Sequence, residues 1–149
     1  MRGLRTVAAL AGLGAMLAVV TTMAWGQAKP AAPAAAKWEL TKEQKDRAAK
    51  LKNPVAAGEK AASIERGKQL AMNNCAPCHG QSGKGDGPGA AALPKKPADW
   101  TSKAVQSESD ANLFVRITDG NPPMPPWSSL PDKDRWDLVN YVKSLGKKA

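Results

Sequence analysis

The sequence is poor in the residues that most sites of covalent or metal chemistry use. Its 149 residues include one histidine and two cysteines, and only one phenylalanine and one tyrosine. Each scarcity excludes something. A structural zinc site takes four protein ligands in a tetrahedron, and three Cys/His side chains fill it only if a carboxylate joins as an unusual fourth. No run alternates between apolar and polar residues as a half-buried strand does, so the βαβ setting of a thioredoxin-like Cys-x-x-Cys pair is missing. No internal repeat is present, which excludes solenoid arrays. With so few bulky residues, a core of this size wants a staple.

Charge adds little. The formal net charge is +9, but the last 89 residues contribute only +3 of it. Most of the excess lies in the N-terminal third. Nucleic-acid binding would want a basic stripe interleaved with aromatics, which is absent. A bias toward acidic partners and a plain solvated surface both fit.

The chain opens MRGLRTVAALAGLGAMLAVVTTMAWGQA. Arg2 and Arg5 precede an apolar and glycine run over residues 7–20, and small-residue pairs follow. This is the pattern of a secretory signal peptide over residues 1–26. An uncleaved membrane anchor is the alternative, because residues 6–28 carry no charge. Either reading exports the remainder, which implies a periplasmic location. Residues 27–37 (QAKPAAPAAAK) read as a disordered linker of Ala, Pro and Lys. Residues 38–58 form an N-terminal extension. Thr41 and Gln44 fit a capping box, and Asn53-Pro54 stops the helix that follows. That helix has little apolar surface and reads as a strap, with Trp38 and Val55 as its anchors.

Three main helices are predicted in residues 59–149. The first spans about 64–74 with Ser63 as N-cap. The second spans about 110–118, after Ser107 or Ser109 and before Gly120, with Leu113, Phe114 and Ile117 on its apolar face. The third spans about 132–145, between Pro131 and Gly146, with Trp136, Val139, Tyr141, Val142 and Leu145. The connections are long. Residues 80–103 hold five glycines and three prolines, and residues 121–127 read NPPMPPW. Loops of this length need something to order them.

Both cysteines and the histidine fall within five residues, CAPCH: Cys75, Cys78 and His79. A simple disulfide is open to two exported cysteines, but it would leave His79 and the long loops unexplained. Covalent haem uses every element. The thiols add to the two haem vinyl groups, and the adjacent histidine supplies an axial nitrogen to the iron. The opposite axial position needs another donor, and no second histidine exists. Met72, three residues before Cys75, reads as core packing. Met124 sits between Pro122, Pro123, Pro125 and Pro126. Prolines fix φ and stiffen the loop, so a thioether there is held with little entropy lost on ligation. Trp100 and Trp127 line the haem or pack in the core. The GKGDG run is no phosphate loop, because it lacks the GK[ST] ending and a preceding strand.

In GKQLAMNNCAPCHG, GKGDGPGA, ITDGNPPMPPW and RWDLVNYVKSL, over about residues 57–146, the sequence resembles the monohaem class I c-type cytochromes. The resemblance implies an all-α domain of three main helices and long loops wrapped around one covalent haem c. It places the haem thioethers on Cys75 and Cys78, and the iron's axial ligands on His79 and Met124. It also implies a close helix crossing at Gly67, packing aromatics at Trp136 and Tyr141, and a proline carbonyl (of Pro88 or Pro94) that accepts a hydrogen bond from His79. The extension over residues 38–58 departs from the minimal family pattern.

Filled axial positions imply a non-enzymatic electron-transfer protein. It would shuttle single electrons between redox partner proteins or serve as the cytochrome subunit of an oxidoreductase. A gas sensor or peroxidase-like catalyst is the alternative and would need an open distal site. A docking module that uses residues 38–58 is a third reading.

Overall fold

The computed structural model describes residues 39–146, so the signal segment, the linker and Trp38 lie outside the described residues. The fold is helical. Helices α1 (Lys42–Ala48), α2 (Lys60–Asn74), α3 (Ala76–His79), α4 (Lys103–Gln106), α5 (Asp110–Asp119) and α6 (Asp132–Leu145) follow one another, with 3-10 turns at Ala57–Glu59 and Ala90–Ala92. Among the described residues there is no β-strand, only an isolated bridge between Asn121 and Met124. No helix of the described residues is long and apolar enough to cross a membrane.

The three main helices are α2, α5 and α6. Helix α6 runs between Pro131 and Gly146 as its punctuation predicts. Helix α5 starts at Ser109, whose Oγ accepts the Asn112 N–H at 3.1 Å, and stops at Gly120, where φ is +64°. Helix α2 departs from the sequence expectation. It begins at Lys60, fed directly by the 3-10 turn, and Ser63 is not its N-cap. Ser63 is fully buried inside the helix. Its hydroxyl donates to the Asp137 carboxylate on α6 and accepts from Asn140 Nδ2 at 2.7 Å.

The core lies where α2 and α6 cross. A Cβ at Gly67 would collide with the Asp137 backbone carbonyl, so only glycine permits the approach. Around the crossing are packed Ala71, Leu113, Phe114, Trp136, Val139, Tyr141 and Val142. Phe114 and Trp136 stack with centroids 4.2 Å apart. Burying each such side chain contributes about 1.5–3 kcal/mol. Asp137 is also buried at this crossing. Burial opposes its charge, but hydrogen bonds from Arg66, Lys133 and Ser63 outweigh that and hold its carboxyl below the usual carboxylate range.

The extension is a built part of the fold. Thr41 and Gln44 form the expected capping box, with bonds of 3.0 and 3.2 Å. Helix α1 ends at Ala48, earlier than Asn53-Pro54, because the chain tightens there into a turn (Leu51 N–H to the Ala48 carbonyl, 3.0 Å). Leu40 and Ala48 are buried against Val115 of α5, with Leu51 and Ala111 packed around them. Val55 packs on the main core, as expected of an anchor. Asn53 donates to Asp110 at 2.8 Å and to Asn140 at 2.7 Å.

Candidate functional site

Helix α2 delivers the cysteine pair. Its last turn places the Cys75 N–H on the Ala71 carbonyl at 2.9 Å, and Cys75 then opens the single turn of α3. Pro77 suits the first turn of that helix, where no N–H is needed. Within it the His79 N–H reaches the Cys75 carbonyl at 2.8 Å and the Cys78 N–H reaches the same oxygen at 3.1 Å. Residues i, i+3 and i+4 therefore share one face. Both thiols are free and half-buried. Burial, and then the neighbouring Cys78, push the Cys75 thiol up to about 11.

The His79 ring is fixed from two sides. It is 8% exposed, stacks on Trp100 with centroids 4.5 Å apart and planes 21° from parallel, and its Nδ1 lies 3.0 Å from the Ala98 carbonyl. A carbonyl only accepts, so Nδ1 carries the proton and Nε2 keeps its lone pair. Burial lowers the imidazole's pKa and the Ala98 carbonyl pulls the other way; the net is downward, which favours the neutral, ligating form. The sequence expectation of a proline carbonyl at this place, Pro88 or Pro94, is corrected. Both prolines are exposed. The loop returns to the histidine only beyond Pro97, where the Trp100 N–H closes on the Gly83 carbonyl at 2.7 Å.

A second feature escaped the sequence reading. Glycines stand at every second position from 83 to 89. The N–H groups of Gly85, Gly87 and Gly89 donate to the carbonyls of His79, Cys78 and Pro77 at 2.8, 3.2 and 2.8 Å. The loop thus runs back along α3 and satisfies the carbonyls a helix end leaves orphaned. A Cβ at Gly87 would stand 2.5 Å from the Ala76 and Pro77 carbonyl oxygens, so the ladder needs glycine. The regular spacing was the available signal; GKGDG is a backbone-capping ladder.

Met124 lies in the loop between α5 and α6. The loop leaves α5 through Gly120 and pairs Asn121 with Met124, N–H to carbonyl in both directions, at 2.9 and 2.8 Å. It returns to α5 through the Trp127 N–H on the Ile117 carbonyl at 3.1 Å. The four flanking prolines are exposed, whereas Met124 is half-buried. Met72 is half-buried and packs on the core. Trp100 is buried against His79 and meets Tyr141 edge-on at 6.3 Å.

Among the described residues, no group of three or more His, Cys, Asp or Glu is arranged to hold a metal ion. The donor set does fit a covalently held haem: two free thiols on one turn, a neutral imidazole with one nitrogen available, and a thioether in a proline-stiffened loop.

The comparisons agree with that chemistry. The family model for Cytochrome c matches residues 64–146. The chain is 32% identical over 89 residues to cytochrome c6 of Cyanidioschyzon merolae, covering 59% of this chain and 80% of that protein. It is 30% identical over 91 residues to cytochrome c6 of Cyanidium caldarium, covering 59% and 76%. Among solved structures it is similar to a chain of the Kuenenia stuttgartiensis reducing HAO-like protein complex, with a TM-score of 0.55 and 32% identity. That match covers 64% of this chain and 49% of the other, so the chain spans about half the length of that relative. The chain belongs to the cytochrome c family, as a class I c-type cytochrome: an electron-transfer protein that carries covalently attached haem c.

Proposed function

We propose that Cys75 and Cys78 hold the haem through thioether bonds and that His79 and Met124 bind its iron. In this reading the mature protein is an exported, periplasmic one-electron carrier, or the cytochrome subunit of a larger oxidoreductase, and not itself an enzyme. The observation that carries it is the His79 ring, which is buried, turned by the Ala98 carbonyl so that Nε2 is the free donor, and next in sequence to two free thiols on one helical turn.

The bound haem supplies a one-electron Fe(II)/Fe(III) couple. The protein's residues do the rest. Cys75 and Cys78 tether the group to the end of α2, so it cannot dissociate between encounters. His79 donates a lone pair whose direction Ala98 and Trp100 fix. Met124 supplies a soft thioether, which favours the ferrous state and raises the potential. With His79 and Met124 both bound to the iron, no open coordination site would remain for a substrate. Fixed donors also change little between oxidation states, which keeps reorganisation small.

The domain layout that goes with this reading is a signal peptide over residues 1–26, or an uncleaved anchor within 6–28, then the linker 27–37, the extension 38–58 and the haem domain 59–149. The basic, apolar start of the sequence supports export. The similarity to a chain from a multi-protein complex supports work beside redox partner proteins.

The absorption spectrum of reduced protein, made with haem-attachment machinery, before and after CO, tests the proposal. A sharp low-spin c-type spectrum that ignores CO is expected. In Met124→Ala, CO should bind and the potential should fall. A native protein that binds CO readily, or a Met124→Ala variant with unchanged potential, would remove Met124 from the iron.

A further inference from the structure

Helix α5 is buried on two sides. Phe114 and Leu113 face the main core. Ala111, Val115 and Asp119, spaced by four and so aligned on one stripe, face the extension. Leu40 and Ala48 close over Val115, which is 2% exposed. Polar bonds hold both ends of that stripe. At the start of α5, Asn53 Nδ2 donates to Asp110 at 2.8 Å. At its end, Gln44 Nε2 donates to Asp119 Oδ2 at 2.9 Å, and Arg47 pairs with the same oxygen.

Asp119 is the wrong sign for the last residue of a helix, because the C-terminal end of the helix dipole is already negative. Its partners on α1 account for it. Its position accounts for more. Asp119 is the last residue before Gly120, where the Met124 loop departs, and the loop returns to the same turn through Trp127 on Ile117. On the other side of that turn, Arg135 of α6 donates to Thr118 Oγ1 at 2.5 Å. Both roots of the Met124 loop therefore rest on one helical turn, gripped by α1 and by α6. The family match begins at residue 64, so α1 and Asn53 lie outside the shared domain.

We propose that residues 40–53 are a splint on α5 that positions the Met124 loop, with Gln44 and Arg47 as the positioning residues. The inference rests on the reading of Met124 as an iron ligand. The splint raises the population of the state in which the loop presents its sulfur. An exogenous ligand competes only with the fraction in which the sulfur is away, so its apparent affinity reads that population directly.

The test uses full-length, haem-loaded protein and imidazole as competitor for the ferric iron. Gln44 and Arg47 are partly exposed polar residues, so the Q44A/R47A double variant should keep its helical circular dichroism. It should bind imidazole about five- to tenfold more tightly than the native protein. An Arg66→Ala variant serves as control: it removes an ion pair to Asp137 at the α2–α6 crossing, bonds no residue of the splint, and should lower the melting temperature without changing imidazole affinity. Unchanged affinity in Q44A/R47A, or an equal rise in Arg66→Ala, overturns the splint. Met124→Ala separates the two readings. If it binds imidazole far more tightly than the native protein while Q44A/R47A does not, the splint alone fails. If it binds no more tightly than the native protein, the ligand assignment fails and the splint with it.

Discussion

At the scale of single residues, the site is made of backbone atoms as much as side chains. One carbonyl, that of Ala98, decides which nitrogen of His79 is free, and one indole fixes the plane of the ring. Trp100→Ala removes that wall and leaves a cavity beside the imidazole. It should cost about 3–5 kcal/mol, read by denaturant unfolding of the haem-loaded protein. A ladder glycine and a glycine outside the ladder differ in what surrounds them. Gly87→Ala pushes a methyl group into the Ala76 and Pro77 carbonyls and should cost about 3 kcal/mol. Gly58→Ala meets nothing within 4 Å and has no positive φ. It should be neutral within about 0.5 kcal/mol, or slightly stabilising through the unfolded chain. Equal losses for the two glycines would disprove the capping role of the ladder.

At the scale of elements, the α2–α6 crossing carries the fold and sets its acid limit. Gly67→Ala should cost about 3 kcal/mol or more, because its clash is with backbone that cannot rotate away. Asp137 gives the crossing a pH dependence. Its folded pKa lies below the unfolded value of 3.8, so the carboxylate stabilises the protein at all pH values above that. The contribution disappears as pH falls through the lower, folded value. Unfolding free energy measured against pH should therefore fall below about pH 4, and less steeply in Asp137→Asn. An acid limb as steep in the variant as in the native protein would assign the loss to other carboxylates. The elements were also the most legible part of the sequence. Pro131, Gly146, Ser109, Gly120 and the Thr41–Gln44 box are local signals, and each sits where it was read. Ser63 was misread because its role is tertiary. A serine before an apolar stretch looks like a cap until α6 is known to pass beside it.

At the scale of the molecule, the extension is the part that local signals described least well. Its helix looked thin in apolar residues, and the two that matter, Leu40 and Ala48, gain meaning only against Val115, 67 positions after Ala48. The carbonyl that orients His79 was hidden for the same reason: the path of the loop over residues 80–102 is set by where its glycines meet α3, not by its prolines. The haem-attachment run, by contrast, was legible because its chemistry is contiguous. A chain begun at residue 57 should still take up haem, since the family match lies wholly beyond that point. It should melt at least about 10 °C lower, because the Leu40, Ala48 and Val115 cluster is lost and one side of α5 is bared. Calorimetry of the two haem-loaded chains measures the difference, and an unchanged melting temperature would mean the extension contributes nothing to the fold.

The second buried stripe of α5 also links two distant stretches of sequence into one unit of selection. Positions 111, 115 and 119 answer to positions 40, 44, 47, 48 and 51. Relatives that begin at the haem domain have no reason to keep an apolar residue at the place of Val115, or an acid at the place of Asp119 where the helix dipole disfavours one. Relatives that carry the extension should change the two sets together, so that the residue closing α5 records whether a chain has its N-terminal helix.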